Sequence, residues 1–291
     1  MKSGLVVGVA VAAMVAVATP ASAAQAPVIV HFDLAKGQQP ENIALEPDGS
    51  ADLTFTVAGQ VARVRPNGHT EILATFPTGT RVSGIVHAPN GTLYVNAAGG
   101  GGAAVWRIRP GRAPERVVTL PPNGFPNGLA LDGNDLYLTD SAAGTILKVT
   151  HGKAVEWLRA PVLAPTTPGG FGVNGIKVHQ NAVWVSVSDK GLVLRIPIKR
   201  DGTAGTIETK AIGLPGIDDF TFSGRGNEIL AAINSASEVT AIQPNGSHKT
   251  ILTSQNGLSN PTSVAVRGNK IYIPSAAYAT RKDPNLLITK R

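Results

Sequence analysis

The chain contains no cysteine. Structural disulfides, a thiolate nucleophile and a cysteine zinc site are therefore all excluded. Aromatic residues make up only 5% of the sequence, too few to interleave with basic residues as a stacking platform for nucleic acid. The net charge of +7 is spread thinly, over Arg63, Arg65, Arg107, Arg109, Arg112, Lys199 and Arg200, and is densest at Arg281-Lys282 and Lys290-Arg291. It reads as solubility rather than as a nucleic-acid face. After the first two dozen residues no apolar run is long enough for a membrane helix, and no segment has helical periodicity. No nucleophile elbow, phosphate loop or dinucleotide fingerprint occurs; Gly99 to Gly102 is followed by neither a helix start nor a lysine. The six histidines share no spacing.

What is present begins with an export signal. Lys2 supplies the positive start, Leu5 to Val17 is almost wholly apolar, and Ala21-Ser22-Ala23 has the small-x-small form of a cleavage site. Residues 1–23 are read as the signal, with cleavage near Ala23-Ala24, and residues 24–291 as one mature domain. A secreted, extracellular or periplasmic protein is expected, without membrane insertion.

The mature sequence is rich in Val, Ile and Thr, and its 33 glycines and 21 prolines punctuate short apolar runs. One unit recurs. Its opening reads Glu41-Asn-Ile-Ala-Leu45, Ser83-Gly-Ile-Val-His87, Asn127-Gly-Leu-Ala-Leu131, Asn174-Gly-Ile-Lys-Val178, Asp218-Asp-Phe-Thr-Phe222 and Thr262-Ser-Val-Ala-Val266, at intervals of 42, 44, 47, 44 and 44 residues. Further strands follow at near-constant offsets. Four strands in about 44 residues is the size of a propeller blade. The expected fold is all-β, a six-bladed β-propeller with four-stranded blades. The sixth unit lacks a fourth strand, and Val28-Ile-Val-His-Phe32 has no blade of its own. The N-terminal strand is therefore expected to close the last blade, leaving no open edge there.

In such a ring the first residues of the innermost strands converge around one mouth of the channel. This position reads Glu41, Ser83, Asn127, Asn174, Asp218 and Thr262. Polar residues open strands often, yet two carboxylates and two carboxamides at one point ask for neutralisation. The all-oxygen set suits a hard divalent cation, Ca²⁺ first, with Mg²⁺, Mn²⁺ or Zn²⁺ as alternatives. The candidate donors are the two acids, the two asparagine amide oxygens and the hydroxyls at this position. The ends of the second strands, Asn96, Asp140, Ser188, Asn234 and Ser275, return to the same mouth, as pocket wall or as blade-linking hydrogen bonders. Two segments are long enough to form a lid or entrance, Ala97 to Ala103 and Ala160 to Phe171.

Pro40-Glu41, Pro126-Asn127-Gly128-Leu129-Ala130-Leu131-Asp132 with Leu136-Tyr-Leu-Thr-Asp140-Ser141, Val173-Asn174-Gly175 and Ile217-Asp218-Asp219 together resemble the senescence-marker-protein, gluconolactonase and luciferin-regenerating-enzyme family of six-bladed propellers. The resemblance spans about residues 30–290. It implies a divalent metal on Glu41, Asn127, Asn174 and Asp218, and hydrolysis of a lactone or ester in which Asp218 is ligand and general base. Asp219 is the next candidate catalytic residue, or else a turn or supporting group. Ser83, Phe125, Asp140 and Thr262 complete the expected substrate pocket. Sugar-lactone members carry an arginine where this chain has Phe125, so a more apolar small-molecule substrate is expected. The alternative is a non-enzymatic, calcium-stabilised propeller that binds a glycan, peptide or protein. A monomer is expected in either case.

Overall fold

The computed structural model describes residues 27–290, with Met1 and Gly4. Residues 2–3 and 5–26, on which most of the expected export signal and its expected cleavage point fall, lie outside the described residues. Among the described residues no helix is long and apolar enough to cross a membrane.

Six four-stranded antiparallel sheets form the six blades of a propeller. Blade one runs through Pro40–Leu45, Ala51–Phe55, Gln60–Val64 and Thr70–Thr75. The inner strands of blades two to five are Arg81–His87, Pro126–Asp132, Val173–Val178 and Ile217–Phe222. Blade six contributes Ala265–Arg267, Lys270–Ser275 and Asn285–Lys290. Its outer edge is Val28–His31, antiparallel to the last strand with Val28 opposite Ile288 and His31 opposite Asn285. The strand without a blade thus closes the ring, as its sequence requires.

The core lies between blades rather than within any one of them. Ala130, Tyr137 and Ile146 of blade three pack with Ile176, Val183 and Val185 of blade four, and all six are buried. Val30 and Phe32 join Phe55 and Tyr272 across the junction of blades six and one. Alternating apolar residues on both faces of a blade satisfy both neighbours, so burial does the work that disulfides would do in a smaller exported domain.

The inner strands share one irregularity. Pairing with the second strand is interrupted between Val82 and Ile85, Pro126 and Leu129, Val173 and Ile176, and Ile217 and Phe220. Each interruption spans the residue that the repeat singled out. Such bulges re-aim side chains. The glycine that follows has a steric reason. A Cβ on Gly84 would stand 2.3 Å from the Asn127 carbonyl oxygen, and one on Gly128 would stand 2.7 Å from that of Asn174. Neighbouring inner strands touch backbone to backbone here. Gly84→Ala should therefore destabilise the fold by at least the ~1–3 kcal/mol typical of overpacking, read as a lower midpoint in chemical denaturation.

Candidate functional site

Five of the six converging residues, Glu41, Ser83, Asn127, Asn174 and Asp218, line a single cavity of about 520 Å³ at one mouth of the channel. Phe125 lines it too. The sixth, Thr262, is fully buried, and its hydroxyl donates to the Pro40 carbonyl at 2.9 Å. It latches blade six to blade one instead of facing a ligand.

The two asparagines are held by a repeated device. The Ser141 hydroxyl donates to the Val173 carbonyl at 2.7 Å and accepts from the Asn127 amide at 3.2 Å. One blade on, the Ser188 hydroxyl donates to the Ile217 carbonyl at 2.6 Å and accepts from Asn174 at 3.0 Å. A carbonyl can only accept, so each serine spends its single proton on the neighbouring blade. The asparagine must then present its NH₂ to the serine, which leaves its amide oxygen for another partner. Two amide oxygens become available as ligands at the mouth, and the same hydroxyls tie adjacent blades together.

The charged side chains that line the cavity are Glu41, Asp218, Asp189 and Arg81, and the first two stand at the converging position. Glu41 keeps part of its surface open to the cavity but is enclosed by protein beyond it. Burial pushes its carboxyl up to about 7, Asp219 adds repulsion, and a Tyr278 hydrogen bond and the more distant Arg81 oppose the rise. Asp218 is buried and held well above the ordinary carboxylate range, first by desolvation, then by repulsion from Glu41 and Asp219, against the Asn174 amide. Among the described residues neither acid has an ion-pair partner. Tyr278 donates its hydroxyl to Glu41, and burial together with the charge of Glu41 holds its phenol well above its usual range.

Two buried acids with raised proton affinity, two oriented amide oxygens and no cationic side chain in contact make a donor set that a hard divalent cation fits. A second acid cluster, Glu46, Asp52 and His87, does not need one. Arg63 reaches both Asp52 oxygens, at 2.7 and 2.8 Å, and also bonds Glu46, which His87 Nε2 approaches at 2.8 Å, so that both acids already have a partner. None of the histidines lines the cavity.

Asp219 has a different position from Asp218. Both its oxygens accept from Lys177 Nζ, at 2.6 and 2.7 Å, and Oδ2 also accepts from Ser263 at 2.8 Å. The side chain does not line the cavity; adjacent residues point to opposite faces of a strand. It joins blades four, five and six. Asp219→Ala should cost about 2–4 kcal/mol of stability, since a buried ion pair loses one partner. Its cation affinity per folded molecule should stay within a few-fold of wild type, as measured by calcium titration.

Asp140 also supports rather than lines the cavity. Its carboxylate accepts the backbone N–H of Phe125 and of Ala143, both at 2.9 Å, and so fixes the aromatic wall. Asn96 and Asn234 donate to inner-strand carbonyls of the next blade. Ser275 accepts from the Ser259 N–H within blade six. The glycine run is no lid: the strands Leu93–Gly99 and Gly102–Ile108 pair up to Gly99 and Gly102, leaving a tight hairpin. The longer segment before Asn174 does reach the mouth, through Phe171. Asp189 accepts from the Thr166 and Phe171 N–H groups and fastens it.

Four contributors were given no site role of their own by the sequence reading. Ser141 could have been found, because it lies fourteen residues after Asn127 as Ser188 does after Asn174. Arg81 stands two residues before Ser83, the same offset at which Phe125 precedes Asn127. Phe171 lay inside a segment read only as a possible lid. Tyr278 sits in an irregular strap whose Ala279 and Thr280 N–H groups are both held at 2.9 Å by the Asn260 side-chain oxygen. That strap has no counterpart in the other blades.

These features define a six-bladed propeller with an acid-bearing cavity at one mouth. No protein-family model and no curated protein sequence matches the chain. Solved structures do match it in fold. Luciferin-regenerating enzyme is 16% identical with a TM-score of 0.69, over 91% of this chain and 95% of its own. A protein assigned as a gluconolactonase is 14% identical with a TM-score of 0.69, over 93% of each chain. Virginiamycin B lyase from Staphylococcus aureus, in a catalytically inactive form with quinupristin, is 20% identical with a TM-score of 0.65, over 88% of this chain and 82% of its own. The gluconolactonase-like resemblance carried by the repeat therefore holds at the level of fold.

Proposed function

We propose that the protein is an exported, monomeric, divalent-cation-dependent hydrolase of a small lactone or related ester. The observation that carries this reading is the pairing of Glu41 and Asp218 in one cavity, without a cationic partner in contact, beside the amide oxygens freed by Ser141 and Ser188. Glu41, Asn127, Asn174 and Asp218 would hold the cation, Ca²⁺ by preference. Bound there, it supplies Lewis-acid polarisation of a carbonyl oxygen. Asp218 takes the proton from the attacking water as general base. Water oxygen bonds to the carbonyl carbon, the carbon–oxygen bond of the ester breaks, the departing alkoxide takes the proton that Asp218 holds, and the acid product releases its own proton to solvent as carboxylate. Ser141 and Ser188 keep the amides from rotating. The fold's occurrence in enzymes supports catalysis without specifying the reaction.

A panel of aryl esters and aromatic lactones, assayed with Ca²⁺ and with EDTA, tests the proposal. Hydrolysis that EDTA removes and Ca²⁺ restores is expected, with ¹⁸O from labelled water in the carboxylate product. Elimination without ¹⁸O uptake, or turnover indifferent to EDTA, would sink it.

The raised carboxyl of Glu41 also fixes the sign of a pH effect. The cation-free folded state holds a proton from the ordinary value of 4.5 up to about 7 that the unfolded chain has released. Its stability must therefore fall as pH rises through that window, by an amount on the order of a few kcal/mol. A bound cation competes with that proton. The gap between melting temperatures in Ca²⁺ and in EDTA should widen steadily from pH 5 to pH 8.

A further inference from the structure

Arg81 enters the cavity from the start of the blade-two inner strand. It is the one cationic side chain among the described residues that line the cavity, and it makes no side-chain hydrogen bond or ion pair there. A guanidinium offers five donors in a fixed fork suited to planar oxyanions. Opposite in chemistry, the next two blades present an aromatic wall. Phe125 is half-buried and Phe171 is 47% exposed. Their rings meet edge to face, with centroids 5.5 Å apart at 80°. The backbone that carries each ring is fastened: the Phe125 N–H donates to Asp140 and that of Phe171 to Asp189. An exposed aromatic ring on a fastened loop at a cavity mouth is apolar surface available to a ligand.

We propose that the cavity recognises an amphiphilic organic anion: its apolar body, aromatic by preference, lies on Phe125 and Phe171, and a carboxylate or other oxyanion away from the reacting carbonyl pairs with Arg81. A neutral polyhydroxylated lactone would leave both features unmatched. The subsite rests on the proposed cation site in one respect, since Glu41 and Asp218 would repel an anion until a cation neutralises them.

The test uses non-reactive probes on the Ca²⁺-loaded protein: 3-phenylpropane-1-sulfonate and the matching neutral sulfonamide, titrated by calorimetry. A sulfonate is a weak calcium ligand, so its affinity reports on Arg81 rather than on the cation. Wild type should bind the sulfonate at least ~10-fold more tightly than the sulfonamide, the usual scale for a charge-assisted hydrogen-bonded pair. Arg81→Gln should abolish that preference and leave sulfonamide affinity unchanged. Phe171→Ala should weaken both probes alike. Equal affinity for the two probes, no binding of either, or a preference that survives Arg81→Gln would overturn the subsite. Arg81-dependent sulfonate binding in a protein that hydrolyses nothing would keep the subsite and remove the hydrolase. Hydrolysis of neutral aryl esters by a protein that does not prefer the sulfonate would do the reverse.

Discussion

Asp218→Asn should reduce hydrolysis by a factor on the order of 10³, corresponding to several kcal/mol of lost transition-state stabilisation. The substitution keeps size and shape and removes a charge. Two effects coincide. The cation loses one of its two anionic ligands. The attacking water loses its proton acceptor. Cation affinity should fall together with activity, and raising Ca²⁺ should restore occupancy without restoring turnover. The folded state should not suffer: in EDTA the variant should melt at or above the wild-type temperature, because a buried and repelled carboxylate has been made neutral. Stability in EDTA that drops sharply would mean that Asp218 is structural, and turnover within tenfold of wild type would remove it from the chemistry.

Deleting residues 27–33, with residues 1–26 retained, should cost more than about 5 kcal/mol, a large part of the stability of an ordinary domain. Val28–His31 supplies the whole outer edge of blade six. Ile29, Val30 and Phe32 pack against two core clusters, Ile29 beside Leu258 and Leu287, Phe32 against Phe55 with ring centroids 4.9 Å apart. Each large apolar side chain removed from such a site costs about 2–5 kcal/mol. The strand Asn285–Lys290 would also become an unpaired edge, open to other chains. The truncated protein should be recovered mainly as aggregate, or should melt at least ~10 °C lower. A synthetic peptide covering residues 27–33 should raise that melting temperature. A truncated protein as stable as the intact one would show that the ring holds without its closing strand.

The ring was legible because blades repeat, and repetition averages out the ambiguity of any single strand. Blade four shows the limit. Its outer strand, Glu208–Ala211, has four residues and follows a turn-rich stretch after Pro197, so no alternation betrays it. Glu41, Asn127, Asn174 and Asp218 were legible by register alone, since equivalent positions must converge. What register could not supply was direction. Register put Asp218 at the mouth and left Asp219 as either a second catalytic candidate or a supporting group; the bulge and the strand's alternation turn Asp219 to Lys177. Tyr278 and Phe171 lie where the chain departs from the repeat, and a repeat is silent about its own exceptions. Asp140 looked like part of the pocket because it ends the right strand; its carboxylate is occupied by two backbone N–H groups, which no spacing reports.

The seam between the first and sixth blades has an effect on timing. The strands that join there are about 260 residues apart, and bringing such distant segments together costs about 5 kcal/mol of chain entropy. Five blades can form from local hairpins before that cost is met. Glu41 stands on one side of the seam, Tyr278 on the other, and Asp218 one blade further round. The acids are therefore not neighbours until the circle is complete. A cation that needs both of them can bind only a closed ring, and once bound it clasps the joint that formed last. Calcium uptake by refolding protein would then serve as a clock for closure, lagging behind the appearance of β structure.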